Sequence, residues 1–183
     1  MFRLSEEGLK SLTGGKNSSG RYKLKPSSKK KVLSSLSEDI TCPHQKSLDA
    51  LAKKPELLKG NQEHYDQVRI FAYFNRHNKA LYERLAAIPN GGHRAKSTAG
   101  KLKAEGQKAG YLDIVLDLAH GGHFGLKLEL KRQDKKKATI SKLQEASIAR
   151  LSADGYFAVV AYGAEQAIKI INDYVSKDKT KVC

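Results

Sequence analysis

Leu112-Asp113-Ile114-Val115-Leu116-Asp117-Leu118 and Leu126-Lys127-Leu128-Glu129-Leu130-Lys131 set aliphatic side chains at every even position and charges at nearly every odd one. A period of two predicts β-strands with one face turned to a core. Ala119-His120-Gly121-Gly122-His123 between them has the glycine content of a turn, so the natural pairing is an antiparallel hairpin. Centred on Gly121, that hairpin sets Asp113 opposite Glu129 and Asp117 opposite Gly125, with Lys131 on the acidic face.

Facing cross-strand residues have Cβ atoms about 4.5–5.5 Å apart, close enough for two carboxylates to share one divalent cation. Without a cation or the Lys131 ammonium, opposed carboxylates repel and one has to take up a proton. Slipping the register by one residue would expose the Leu and Ile set, so burial of that set also holds the acids in opposition. The spacing alone equally allows Asp113, Asp117, Lys127, Glu129 and Lys131 to form a solvated, salt-bridged face.

Working outward, Tyr65, Val68, Phe71, Ala72, Tyr82 and Leu85 fall at helical spacings and predict one long helix from Glu63 to about Leu85. Ile88-Pro89-Asn90-Gly91-Gly92 reads as a turn, and Ala95 to Glu105 as a short helix ending at Gly106. Downstream, Ser141-Lys142-Leu143-Gln144 has the form of a capping box, opening a helix to about Asp154. Tyr156 to Tyr162 is apolar on both faces, which suits a central or covered strand, and Gly163 leads into a last helix, Ala164 to about Val175. The expected fold is a mixed α/β domain over residues 61–176 with a three-stranded sheet. Residues 1–60, rich in Ser, Lys and Gly, read as a largely flexible basic extension with short helices at Val32–Leu36 and Leu48–Leu58, and residues 177–183 as a tail.

The 183-residue chain carries 34 Lys and Arg against 19 Asp and Glu, a net charge of +15. The excess is shared between the extension (13 − 6 = +7) and the rest (21 − 13 = +8). Such a charge favours a polyanionic partner, because phosphate binding releases counterions. No apolar run approaches the roughly 18 residues of a membrane span, and Met1 to Lys10 lacks a secretory apolar block. A cytoplasmic protein with no membrane partner is expected. Cys42 and Cys183 lie far apart without a neighbouring His-Cys cluster, so neither a disulfide framework nor structural zinc is expected. His120 and His123 read as turn-tip residues rather than a zinc pair. No Walker loop, dinucleotide fingerprint or Ser-His-Asp constellation occurs.

Gly110-Tyr111-Leu112-Asp113 followed by Glu129-Leu130-Lys131 is similar to the split D…E-x-K signature of restriction-endonuclease-like nucleases. Together with Ile88-Pro89-Asn90-Gly91-Gly92-His93-Arg94, Leu102-Lys103-Ala104-Glu105-Gly106, Gln144 and Gly155-Tyr156, it resembles the VRR-NUC nuclease family from about Glu63 to Val175. The resemblance implies a restriction-endonuclease-like core in which Asp113, Glu129, Glu63 and the Leu130 backbone carbonyl hold Mg²⁺, with Mn²⁺ able to substitute. It further implies that Lys131 is the catalytic lysine and that Gln144 sits close by. Leu112 stands where the family usually has proline, a position that shapes the strand rather than binding metal.

The activity expected is metal-dependent endonucleolytic hydrolysis of DNA, directed by the resemblance to compact viral and phage-type members toward branched, Holliday-junction-like substrates. Cutting two strands of such a junction is most economically done by a homodimer. Arg94, Lys96, Lys101, Lys103, Lys108, Arg132, Lys135, Lys136 and Lys137 are expected to line the DNA surface. The alternatives are a non-catalytic nucleic-acid-binding module, or a nuclease for ordinary duplex DNA or RNA.

Overall fold

The computed structural model describes residues 13–16, 22–24, 42–89 and 96–181. The chain divides into two units, residues 1–41 and 42–183. In the first, β1 (Thr13–Lys16) and β2 (Tyr22–Leu24) pair antiparallel. The helix expected at Val32–Leu36 lies outside the described residues.

The second unit begins at Cys42, upstream of the expected boundary at Gly60. The reason is α1 (Pro43–Lys53), which opens with proline at its first position, where a missing N–H costs no helical bond. His44 ties this helix to residues far downstream: its ring stacks on Phe71 at 5.5 Å and its Nε2 lies 3.0 Å from the Tyr82 hydroxyl. The helix starts and stops earlier than the Leu48–Leu58 expectation because Pro55 begins a separate 3-10 turn, Pro55–Leu58.

The long helix expected to Leu85 ends sooner. Helix α2 (Gln62–His77) stops at Asn78, whose side-chain oxygen accepts the Leu81 N–H and caps a new turn, α3 (Lys79–Tyr82). Leu85 then belongs to β3 (Leu85–Ala87), a strand that the helical spacing concealed. After α4 (Lys96–Ala104) come β4 (Ile114–Leu116), β5 (Leu126–Lys131), α5 (Lys142–Ala153), β6 (Phe157–Tyr162) and α6 (Gly163–Val175). The sheet therefore has four strands rather than three, in the order β3-β4-β5-β6. β4 pairs antiparallel with both β3 and β5, and β6 joins β5 in parallel.

The hairpin register is the one expected, with Ile114 paired to Leu128 and Leu116 to Leu126. Gly125 permits it: a Cβ there would lie 2.9 Å from the Leu116 carbonyl oxygen. The even residues Ile114, Leu116, Leu126, Leu128 and Leu130 pack with Ile70 and Phe74 of α2 and with Ala167, Ile171 and Tyr174 of α6. Burying each such Leu or Ile is worth roughly 1.5–3 kcal/mol. Because alternate strand residues face opposite ways, α5, whose Gln144 touches Glu129, covers the other face. β6 is thus covered by helices but lies at the sheet edge, not at its centre.

Residues 177–180 are strapped across the hairpin turn. The Gly121 N–H donates to Asp178 O at 2.8 Å, the Thr180 N–H to Ala119 O at 2.9 Å, and the Tyr174 hydroxyl to Leu118 O at 2.7 Å. His120 and His123 bridge the turn over Gly121 and Gly122, and His120 Nδ1 lies 2.7 Å from Lys177 O. No helix among the described residues is long and apolar enough to cross a membrane.

Candidate active site

The odd-numbered face of β5 is as dry as the aliphatic one. Lys127 is 6%, Glu129 1% and Lys131 8% exposed, so this is not a solvated salt-bridged surface. Charges at such depth need partners, and each finds them differently. Lys127 Nζ sits 2.9 Å from Asp117 and 4.8 Å above the Tyr156 ring. Glu129 Oε1 receives the Lys131 ammonium at 2.8 Å and the side-chain amide of Gln144. Glu129 Oε2 is buried without any hydrogen-bond partner.

Asp113 immediately precedes β4. The backbone ladder ends at Ile114, leaving the Leu130 N–H without a strand partner on that side, and Asp113 Oδ2 accepts it at 3.0 Å. The N–H and C=O of one strand residue leave on the same side, so the Leu130 carbonyl also faces the Asp113 end. The two carboxyls interact directly. Burial pushes Glu129 up to about 7, with the Asp113 charge adding to the rise and Lys131 opposing it. Burial likewise raises Asp113, against the Leu130 N–H and the Lys131 charge.

Gln144 is held by its own helix start. Its Oε1 accepts the Ser141 N–H at 2.8 Å while Ser141 Oγ accepts the Gln144 N–H at 3.2 Å. The capping box thereby fixes the amide orientation and leaves Nε2 to donate to Glu129. The capping role and contact with the acidic pair coexist in one side chain.

Glu63, in the first turn of α2, accepts the Arg132 backbone N–H at 3.2 Å, and its charge helps raise Asp113. It is not brought into one cluster with the other two acids: among the described residues, no three Asp, Glu, His or Cys side chains converge as metal ligands do. The donor set nonetheless fits a hard cation. Two carboxylates, one with an orphaned buried oxygen, and a backbone carbonyl offer oxygens only, and Mg²⁺ completes its shell with water. A cation would also give Glu129 Oε2 the partner that it lacks.

The expected DNA-binding cations separate by position. Arg132 follows β5 directly and is half exposed, and Lys135–Lys137 form an exposed 3-10 turn just beyond it. Lys135 lies over the Tyr162 ring at 4.9 Å and Lys137 pairs with Asp134 at 3.2 Å. Lys101 and Lys103 are exposed on α4, and Lys108 is exposed before Gly110. Lys96 opens α4, and Arg94 lies outside the described residues. Sequence reasoning missed a cleft of about 440 Å³ at the start of α2, between Asp66, Arg69, Arg132 and Lys137. Its signal was Asp66, 7% exposed on the helix and paired at 2.9 Å with Arg69 three residues on.

No family model and no curated protein matches the chain. Among solved structures, a VRR_NUC domain protein is similar at 28% sequence identity and a TM-score of 0.57, over 66% of this chain and 93% of that one. In sequence and in fold, then, the chain resembles a VRR_NUC domain protein, and the resemblance covers nearly the whole of that neighbour.

Proposed function

We propose that the chain is a Mg²⁺-dependent endonuclease that hydrolyses phosphodiester bonds in DNA, with branched or otherwise interrupted DNA as its substrate and a homodimer as its working form. The observation that carries the reading is the orphaned, buried Glu129 Oε2 beside Asp113 and Lys131. Most buried polar atoms in folded proteins are hydrogen-bonded, and a carboxylate oxygen left unmet beside a second carboxylate is accounted for by a cation between them.

Asp113, Glu129 and the Leu130 carbonyl would hold the ion, and Mn²⁺ should substitute. When bound, Mg²⁺ supplies Lewis acidity at the scissile phosphate and an acidified water. Gln144 and the Leu130 N–H hold Glu129 and Asp113 in place at fixed distances, so little reorganisation is needed during the reaction. The Lys131 ammonium, bridging from Glu129 toward the reaction centre, stabilises charge developing on the phosphate oxygens and orients the attacking water. Glu63 holds the Arg132 backbone, and with it the start of the basic turn that meets the DNA backbone.

The net charge of +15 and the resemblance to a VRR_NUC domain protein support a nucleic-acid substrate. The choice of branched DNA follows the resemblance to compact family members. A cleavage assay on four-way junction, flap, continuous duplex DNA and RNA, with Mg²⁺, Mn²⁺ or EDTA and wild type beside Asp113→Asn, tests the reading. The expected result is cutting of the junction in Mg²⁺ and Mn²⁺, with none in EDTA or by the variant. Binding without cutting in either metal would leave a nucleic-acid-binding module.

A further inference from the structure

Leu143 is 59% exposed, the most exposed large apolar side chain among the described residues. A single exposed leucine is ordinary; its mounting here is not. It stands in the first turn of α5, one residue before Gln144, whose amide reaches Glu129. The loop that delivers Asp113 presses on its base. A Cβ on Gly110 would lie 2.6 Å from Leu143 Cβ and 2.8 Å from its carbonyl carbon, so only glycine, here at φ 76°, allows this approach. The root of Leu143 is therefore clamped between the supports of both carboxylates, while its tip projects into solvent. Lys142 and Lys108, its exposed neighbours in sequence and along that loop, suit phosphates, whereas an isobutyl group has nothing to gain from them.

Resting on the nuclease reading above, we propose that Leu143 is a wedge that enters the base stack beside the scissile phosphate, making the chain selective for DNA whose stacking is already interrupted. Apolar side chains inserted between base steps unstack them at a cost of a few kcal/mol, and that cost is smallest where pairing or stacking is already broken. A rigid prong beside the reaction centre converts this difference into substrate choice, because only an opened site brings its phosphate up to the Asp113 and Glu129 end of the face without the unstacking penalty.

The test compares wild type, Leu143→Ala and Leu143→Met on a continuous duplex and on the same duplex with two mismatched pairs at the cut site. In parallel, 2-aminopurine placed at that site is read in the non-cleaving Glu129→Gln background, with and without Leu143→Ala. Leu143→Ala keeps a good helix former at an exposed position, so circular dichroism should be unchanged. Wild type should prefer the mismatched duplex at least about tenfold, Leu143→Ala should lose most of that preference, and Leu143→Met should keep it. The 2-aminopurine signal should rise on binding only when Leu143 is present. An unchanged preference in Leu143→Ala, or a fluorescence rise that is independent of Leu143, would overturn the wedge. A Leu143-dependent fluorescence rise in a chain that cuts no DNA would sustain the wedge while removing the nuclease reading.

Discussion

The two faces of β5 are buried alike and built from opposite materials. Leu126, Leu128 and Leu130 meet α2 and α6, and nothing on that side asks for a further partner. Lys127, Glu129 and Lys131 lie as deep on the other side, where every charge costs desolvation. Within that face the contrast sharpens. Lys127 is met by Asp117 and by the Tyr156 ring, while Glu129 has two donors on one oxygen and none on the other. Depth of burial therefore does not distinguish the two ends of this face; the unmet oxygen of Glu129 does.

The strongest way to break this contrast is Glu129→Gln. If the acidic end of the face is catalytic, the variant should lose at least about 10³-fold in Mg²⁺-dependent cleavage, a barrier increase of about 4 kcal/mol, while binding DNA with little change. The measurement is single-turnover cleavage beside a fluorescence-anisotropy titration. Cleavage within tenfold of wild type would place the chemistry elsewhere. On the aliphatic face the counterpart is Leu128→Ala, fully buried at the hairpin centre. It should cost about 2–5 kcal/mol in urea unfolding, with activity per folded molecule far less affected than in Glu129→Gln.

Period two found both faces because the Leu and Ile set and the acids obey one alternation, and the hairpin register followed from Gly121 alone. β3 was hidden because Leu85 also continues the helical spacing of α2, and only the Asn78 cap, a local hydrogen-bond choice, ends that helix. The α1 boundary was missed because it rests on His44 reaching Phe71 and Tyr82, a contact far apart in sequence. At the candidate site, the grouping of Asp113, Glu129, Lys131 and Gln144 was legible in the sequence, but how they are held was not. The Leu130 N–H bound to Asp113 and the Glu63 contact to the Arg132 backbone are main-chain bonds without a side-chain signature.

A smaller effect per step separates the faces by pH. Glu129 is raised to about 7 in the fold, so the folded chain binds a proton that the unfolded chain releases near 4.5. In EDTA this contribution to stability is complete below about pH 4.5 and is lost as pH rises through about 7, at up to roughly 1.4 kcal/mol per pH unit. Asp113, raised as well, acts in the same direction. Urea midpoints between pH 4.5 and 7.5 should fall, Glu129→Gln should flatten most of the fall, and Leu128→Ala should lower the whole curve without flattening it. Mg²⁺ should stabilise increasingly across the same window, because it binds the deprotonated carboxylates. A flat wild-type curve would remove Glu129 as the titrating group.

The smallest expected effect lies at the other end of the charged face. Asp117 pairs with Lys127 at 2.9 Å, but its side chain is 76% exposed, so water and salt screen most of the attraction. In Asp117→Asn the Lys127 ammonium keeps the Tyr156 ring at 4.8 Å and a neutral side-chain oxygen in place of the carboxylate. The loss should be under about 1 kcal/mol, smaller still in high salt, with Mg²⁺-dependent cleavage unchanged. Urea unfolding at two salt concentrations and the cleavage assay measure both halves. A loss of cleavage near that of Glu129→Gln would mean that the whole charged face acts as one site. A small, salt-sensitive loss of stability would instead confine the chemistry to the end of β5 where an oxygen is left unmet.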